Sequence, residues 1–121
     1  SASSVNLEKQ NGPVILVSTD KFGTGDDNLG AALMKSYIFA LSESDVKPEV
    51  MLFANGGVKL TCEDSDVLES LKSLQENGVE MLSCGTCLDF YKLKEKLSIG
   101  NVTNMYTIVE KMNKSFNTIK I

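Results

Sequence analysis

The apolar stretch VILVST at residues 14–19 has the length and composition of a strand that is buried on both faces of a sheet. Two similar runs follow, VMLFA at 50–54 and VEMLS at 79–83. The stretch FNTIKI at 116–121 alternates apolar and polar residues, which predicts an edge strand with one face less well covered. A further short strand is predicted near 99–103. The chain therefore contains three strongly buried strands and two weaker ones.

Helical patterns separate these strands. Apolar residues repeat at helical spacing in four segments, 28–43, 66–77, 87–97 and 104–114. In the second segment, Asp66 and Glu69 have the spacing of an N-cap and its returning acid, and Gly78 ends the helix. Strands that alternate with helices predict right-handed βαβ units and a parallel sheet covered on both faces. The predicted fold class is α/β.

The composition is that of one ordinary globular domain, because the 121 residues are 42% apolar and 23% charged. The formal net charge is −4 without a basic cluster, so neither nucleic acid nor an anionic membrane is an expected partner. No apolar run approaches the roughly 20 residues that span a bilayer, and no signal peptide is visible. We expect a cytoplasmic protein.

The chain has three cysteines and no histidine. An odd, small number of cysteines argues against a secreted disulfide framework and for reduced thiols. The lack of histidine excludes an in-chain Cys–His or Ser–His nucleophile, because no imidazole is available as the base. Zinc is also disfavoured, since one cysteine pair and a single further cysteine do not supply the usual four ligands. We expect no metal site.

The stretch LSCGTCLDFY at 82–91 contains the most reactive candidate side chains, a pair of cysteines. Cys84 stands at the exit of the third strand and Cys87 in the first turn of the next helix. Ligands of parallel sheets gather beyond the carboxyl ends of the strands, and a thiolate at a helix N-terminus has a lowered pKa. Gly85 suggests an accessible loop, so we predict that both cysteines are functional and that Cys84 is the more reactive. Cys62 is interpreted as a structural cysteine without a functional role, like the small buried apolar residue that a cysteine most often is, although LTCED around it is predicted to be a surface loop.

Two other loops are predicted at the same edge of the sheet. The loop at 19–30 lacks the spacing of phosphate-binding motifs, and its aspartates would repel phosphate, so Asp27 or Asn28 is interpreted as a helix cap. The loop ANGGVKL at 54–60 is interpreted as a turn whose glycines supply positive φ. No cofactor is expected. The residues predicted to line a pocket beside the cysteines are Asp20, Asn55, Gly56, Gly85 and Thr86.

Two chemistries compete for the cysteine pair. A thioredoxin-like dithiol–disulfide oxidoreductase also places CxxC at the start of a helix. In that fold the motif follows an early strand, usually beside a tryptophan and facing a cis-proline. This chain has no tryptophan, its pair lies in the last third, and Pro13 and Pro48 begin strands. The competing interpretation is a persulfide carrier, in which one thiolate accepts sulfane sulfur and its neighbour resolves or protects it.

Several consecutive motifs resemble the DsrE/DsrF-like sulfurtransferase family, and most closely the C-terminal domain of YedF-type proteins of selenium metabolism. The matching stretches are GTGDDNLG with the following LMKSYIFAL, then FANGGVKLT, LSCGTCLDFYKL and GNVTNMYTIVE. The resemblance spans residues 14–121. It implies a three-layer α/β/α fold around a parallel five-stranded sheet in the order 4-3-2-1-5.

The resemblance also implies a sulfur or selenium relay in which the cysteine after the third strand carries a persulfide. That position is Cys84, with Cys87 three residues on. Many relatives have an Arg-Gly pair a few residues later, whereas Tyr91 and Lys92 stand there in this chain.

Partners and boundaries are implied in the same way. YedF-type proteins carry a TusA-like domain before this one, so a TusA-like sulfur carrier is an expected partner. Residues 1–12 are interpreted as a linker or a segment left from expression, and 13–121 as a single domain. Family members assemble as trimers or hexamers, and the extensively apolar helix at 28–43 gives a physical reason for a homo-oligomer. A non-catalytic binding module with idle thiols remains an alternative.

Overall fold

A computed structural model describes residues 12–121, so all but the last residue of the predicted linker lies outside the described residues. The described chain forms one parallel sheet, four α-helices and two 3-10 helices. The strands are β1 (Val14–Val17), β2 (Val50–Phe53), β3 (Glu80–Cys84), β4 (Asn101–Thr103) and β5 (Thr118–Lys120). The helices are α1 (Asp27–Glu43), α2 (Leu68–Glu76), α3 (Gly85–Phe90) and α4 (Met105–Lys114), and the 3-10 helices are Asn55–Thr61 and Lys94–Lys96.

The strands lie in the order β4-β3-β2-β1-β5, and every neighbouring pair is parallel. This confirms the predicted α/β class and the strand order implied by the resemblance. The register is level at the carboxyl edge, because Val17 lies opposite Phe53 and Phe53 opposite Ser83. Cys84 extends one residue further and pairs with Thr103. The loops that leave these strands therefore start side by side.

The order of the strands also fixes the layers. Successive right-handed connections from β1 to β4 place α1, α2 and α3 on one face, and the return from β4 to β5 places α4 on the other. The core is apolar and centred on β1, β2 and β3, whereas all three residues of β5 are exposed, as expected of an edge strand. No helix within residues 12–121 is both long enough and apolar enough to cross a membrane.

The caps of the first two helices differ from those predicted. Asp26, and not Asp27 or Asn28, caps α1 by accepting the N–H of Leu29 at 2.9 Å. The second helix begins only at Leu68, and no side chain caps it. The prediction that Asp66 caps this helix is therefore wrong. Residues 26–28 are all good N-cap residues, so the sequence alone does not distinguish which of them caps the helix.

The packing of α1 separates its apolar residues into two faces. Met34 and Ile38 face the core and are 1% and 0% exposed. Leu29, Leu33 and Phe39 lie on the outside and are 58%, 42% and 58% exposed. The helix is therefore apolar on its outer as well as its inner surface.

The helix predicted at 87–97 is interrupted. α3 ends at Phe90 because Lys92 adopts φ 58°, a left-handed conformation that terminates helices. The N–H of Leu93 donates to the carbonyl of Leu88 at 2.8 Å, and that of Lys92 to the carbonyl of Asp89 at 3.1 Å, which closes the helix end. The helix was predicted to extend to residue 97 because Leu93 and Leu97 continue the apolar spacing. Both leucines do pack against the core, but neither lies in an α-helix.

The stretch after β2 is a 3-10 helix and not the predicted glycine turn. Its positive φ of 49° belongs to Asn55, and neither following glycine has one. Gly57 is needed for a different reason, since a Cβ there would overlap the carbonyl oxygen of Val17. A Cβ at Gly56 would meet nothing nearer than Asp20 Oδ1 at 3.6 Å. The 3-10 helix therefore lies directly against the end of β1.

We expect Gly57→Ala to lower the free energy of unfolding by about 1–3 kcal/mol, the usual cost of forcing a group into a filled site. Gly56→Ala is the matched control, and it should change stability by less than about 0.5 kcal/mol because its Cβ has room. Urea denaturation of both variants measures the difference. Equal stability of the two alanine variants would contradict the close approach of Gly57 to β1.

Candidate functional site

The carboxyl end of β3 places Cys84 at the edge of the sheet but inside the protein. Its side chain is 4% exposed, and it is the last residue of the strand. Gly85 follows directly as the first residue of α3, where a Cβ would lie 3.0 Å from Val102 Cγ1. The predicted accessible loop at Cys84 is therefore wrong, because β3 leads into α3 without a connecting loop.

Cys87 is the more accessible member of the pair and is half-buried. Its Sγ accepts a hydrogen bond from the backbone N–H of Asn55 at 3.1 Å. Asn55 is the first residue of the 3-10 helix that follows β2, so the contact joins the ends of two neighbouring strands. A backbone N–H directed at sulfur stabilises the thiolate more than the thiol.

The pKa of Cys87 is nevertheless raised. Burial of the thiol is the largest cause, a hydrogen bond with Cys84 adds to it, and negative charge on Cys84 raises it further. The N–H of Asn55 acts in the opposite direction and lowers this pKa. The lowered pKa expected from a helix start is wrong for Cys87, because α3 has only six residues and the sulfur is partly withdrawn from water. Burial therefore disfavours the thiolate of Cys87.

The side chain of Asn55 is held from the same helix. Tyr91, which follows the last residue of α3, donates its O–H to Asn55 Oδ1 at 3.1 Å. Lys59 Nζ lies 4.6 Å from the centre of the Tyr91 ring, a cation–π distance. Cys87 and Tyr91 are four residues apart, so both face the 3-10 helix. The sequence prediction did not include Tyr91 or Lys59 in the site, although this spacing was a usable signal for Tyr91.

The other predicted pocket residues divide into two groups. Asp20 and Gly56 are brought together, since a Cβ on Gly56 would lie 3.6 Å from Asp20 Oδ1, and Asp20 also pairs with Lys21 at 3.0 Å. Gly85 is buried beneath the edge strand β4, and Thr86 is exposed to solvent. Asn55 contacts Cys87 directly, whereas Gly56 faces Asp20, one residue further into the 3-10 helix.

Cys62 is a buried core cysteine, in agreement with its structural interpretation, but the surface loop predicted around it is wrong. It is 1% exposed, and its thiol donates to the carbonyl of Val58 at 3.2 Å. Burial raises its pKa, and the charge of Glu63 adds to this, while a hydrogen bond with Thr61 opposes it. The polar neighbours of Cys62 in LTCED suggested a surface loop. Instead, Cys62 forms an isolated antiparallel β-bridge with Leu97.

Within residues 12–121, no three cysteine or acidic side chains come together closely enough to hold a metal ion. The chemistry that the arrangement offers is that of two interacting thiols, one buried and one reachable from solvent.

The sequence profile of the DsrE/DsrF-like family matches residues 14–121. The chain belongs to the DsrE/DsrF-like family. Lys92, the second residue of the Tyr91–Lys92 pair noted in the sequence, has a φ of 58°, a conformation that glycine adopts without strain. No curated protein matches the sequence significantly.

Three solved structures have the same fold. The ychN protein from E. coli superposes with a TM-score of 0.68 at 13% identity, covering 91% of this chain and 99% of its own. MTH1491 from Methanobacterium thermoautotrophicum, described as a protein of unknown function, gives 0.66 at 17% identity, with 92% and 100% covered. BT1422 from Bacteroides thetaiotaomicron, a conserved protein of unknown function, gives 0.61 at 14%, with 92% and 96% covered. These likenesses show the fold.

We expect iodoacetamide to label Cys87 first in the native protein, by about tenfold or more over Cys84 and Cys62, since buried thiols react only when the structure opens. The labelling rate of Cys87 should reach half its maximum at a higher pH than that of an ordinary cysteine, because the pKa of Cys87 is raised. Peptide mass spectrometry resolves the three sites. Labelling in denaturant is the control and should remove the differences. Native labelling of Cys84 as fast as Cys87 would contradict the burial described here.

Proposed function

We propose that this member of the DsrE/DsrF-like family is a sulfur or selenium relay protein that carries a persulfide on Cys84, with Cys87 as its partner thiol. One observation chiefly supports this. Cys84 ends β3 and Cys87 lies in the first turn of α3, so both thiols stand at the carboxyl edge of the central strands, where the sulfur of Cys87 accepts the N–H of Asn55. This is the edge at which parallel sheets bind ligands.

The proposed chemistry is transfer of one sulfane sulfur atom. Cys84 is 4% exposed, so in this proposal its thiolate reacts when local opening of the structure exposes it. It then attacks the terminal sulfur of a donor persulfide, a new S–S bond forms, and the donor leaves as its thiolate. Burial raises the pKa of Cys87, which disfavours its thiolate and makes it the weaker competitor for the sulfur. An acceptor thiolate then attacks the terminal sulfur and leaves Cys84 reduced. No external oxidant or reductant is consumed.

The finer assignment rests on the resemblance. We propose a closest relation to the C-terminal domain of YedF-type proteins and a TusA-like sulfur carrier as the partner that loads or unloads Cys84. In this proposal residues 13–121 form a single domain, and the relay works in the cytoplasm, where free thiols stay reduced.

The second candidate is a dithiol–disulfide oxidoreductase, which is favoured by the proximity of the two thiols. It requires both cysteines, because one attacks the substrate disulfide and the other resolves the mixed disulfide. A persulfide carrier requires only one. The two functions therefore differ in the effect of single substitutions.

We expect Cys84→Ser to abolish sulfur loading from a small persulfide donor, and Cys87→Ser to retain it. Cys62→Ser is the matched control, and it should load like the wild type because serine keeps the donor to the carbonyl of Val58. Insulin disulfide reduction is measured on the same four proteins and should stay at background.

Robust insulin reduction that is lost in both Cys84→Ser and Cys87→Ser, without sulfur loading, would overturn the relay in favour of the oxidoreductase. Inactivity of the wild type in both assays would overturn it in favour of the binding module with idle thiols.

We also propose that copies of the chain associate as a trimer or hexamer through the outer face of α1. Leu29, Leu33 and Phe39 are exposed there, whereas Met34 and Ile38 are part of the core and cannot test an interface. Leu33→Glu should reduce the mass seen by light scattering towards 13.2 kDa, because a charge would be desolvated in the contact. Val46→Glu, on an exposed site off the helix, should not. A monomeric wild type at micromolar concentration would contradict the proposal.

A further inference from the structure

Cys87 and Tyr91 contact the same residue from one side of α3. Cys87 accepts the backbone N–H of Asn55 at 3.1 Å, and Tyr91 donates its O–H to the Asn55 side chain, also at 3.1 Å. The two contacts are made by residues four apart at a helix whose end is closed at Lys92. Asn55 is therefore held by its backbone and by its side chain at once.

Asn55 adopts a strained backbone conformation that its contacts must stabilise. Its φ of 49° lies in the left-handed region, which asparagine tolerates better than most residues but which still costs energy. The angle φ sets how the peptide unit carrying the Asn55 N–H is turned relative to the 3-10 helix that follows. If Asn55 relaxed to a right-handed conformation, its N–H would turn relative to that helix and away from the sulfur.

The Tyr91 ring is itself fixed by the same 3-10 helix. Lys59 lies four residues after Asn55, and its ammonium group is 4.6 Å from the centre of the ring. Both Asn55 and Lys59 are exposed, so their side chains would otherwise sample several rotamers. Tyr91 is half-buried and packs against the core, which makes it the rigid member of the three.

We propose that Tyr91 is a positioning residue, which holds Asn55 in its left-handed conformation and thereby directs the Asn55 N–H at the sulfur of Cys87. The inference deepens the proposed function, because it names what sets the reactivity of the partner thiol in the relay. Its readout is the titration of Cys87, so it is tested whether or not sulfur transfer occurs. The lowering of the Cys87 pKa by this N–H is in line with such a role.

Tyr91→Phe is the direct test, because it removes the O–H and keeps the ring over which Lys59 lies. The rate of Cys87 alkylation is measured against pH by peptide mass spectrometry in the otherwise unchanged chain. We expect the half-maximal pH to rise by about 0.5–1 unit, as for the loss of roughly one hydrogen bond to the thiolate. Asn55→Ala removes the acceptor of the same hydrogen bond, and it must raise the half-maximal pH of Cys87 in the same way. This second variant keeps the test decisive if Tyr91→Phe folds poorly.

A double-mutant cycle shows whether the effect passes through Asn55. Glycine at this position keeps the backbone N–H and adopts a φ of 49° without strain, but has no acceptor for the Tyr91 hydroxyl. In the Asn55→Gly background, Tyr91→Phe should therefore leave the half-maximal pH of Cys87 unchanged. Alkylation of Cys62 and the urea midpoint are controls for the fold.

An unchanged half-maximal pH in both Tyr91→Phe and Asn55→Ala would overturn the proposal. An equal rise on Tyr91→Phe with asparagine or glycine at position 55 would also overturn it, because the hydroxyl would then act on Cys87 by another route. A rise that occurs with asparagine and vanishes with glycine supports it.

Discussion

The backbone of Gly57 lies against the carbonyl oxygen of Val17, in a space that no side chain could share. This contact lets the 3-10 helix after β2 fold down onto the end of β1 directly beyond the sheet. Because parallel register brings the ends of β1, β2 and β3 level, the start of this helix arrives beside α3. Asn55 then meets Cys87, and the site exists only because two strand ends and one glycine permit that approach.

The same geometry gives the three cysteines different environments. Cys84 is enclosed at the end of a central strand, Cys87 is half-buried in the first turn of α3, and Cys62 is part of the core. Cys84 and Cys87 stand at the same edge of the sheet, and the polar group that contacts the sulfur of Cys87 is the backbone N–H of Asn55. A relay of sulfane sulfur needs no general base beyond a thiolate, which is in keeping with a chain without histidine.

The strands and their class followed from continuous apolar runs, since a run such as VMLFA can be buried on both faces only within a covered parallel sheet. The positions of Cys84 and Asn55 at one edge followed from the same reasoning. What the sequence could not give depends on tertiary packing. The left-handed Lys92, the burial of Cys62 and the contact of Tyr91 with Asn55 each depend on neighbours distant in the chain or on one backbone angle.

Tandem mass spectrometry on the wild-type chain can detect directly whether the Cys84–Cys87 pair carries sulfane sulfur, as we propose. The protein is incubated with a small persulfide donor, and the added mass is located within the peptide that contains both cysteines. We expect one added sulfur atom on Cys84, which a reductant removes, and none on Cys62. An unmodified peptide, or sulfur found on Cys62 alone, would contradict it.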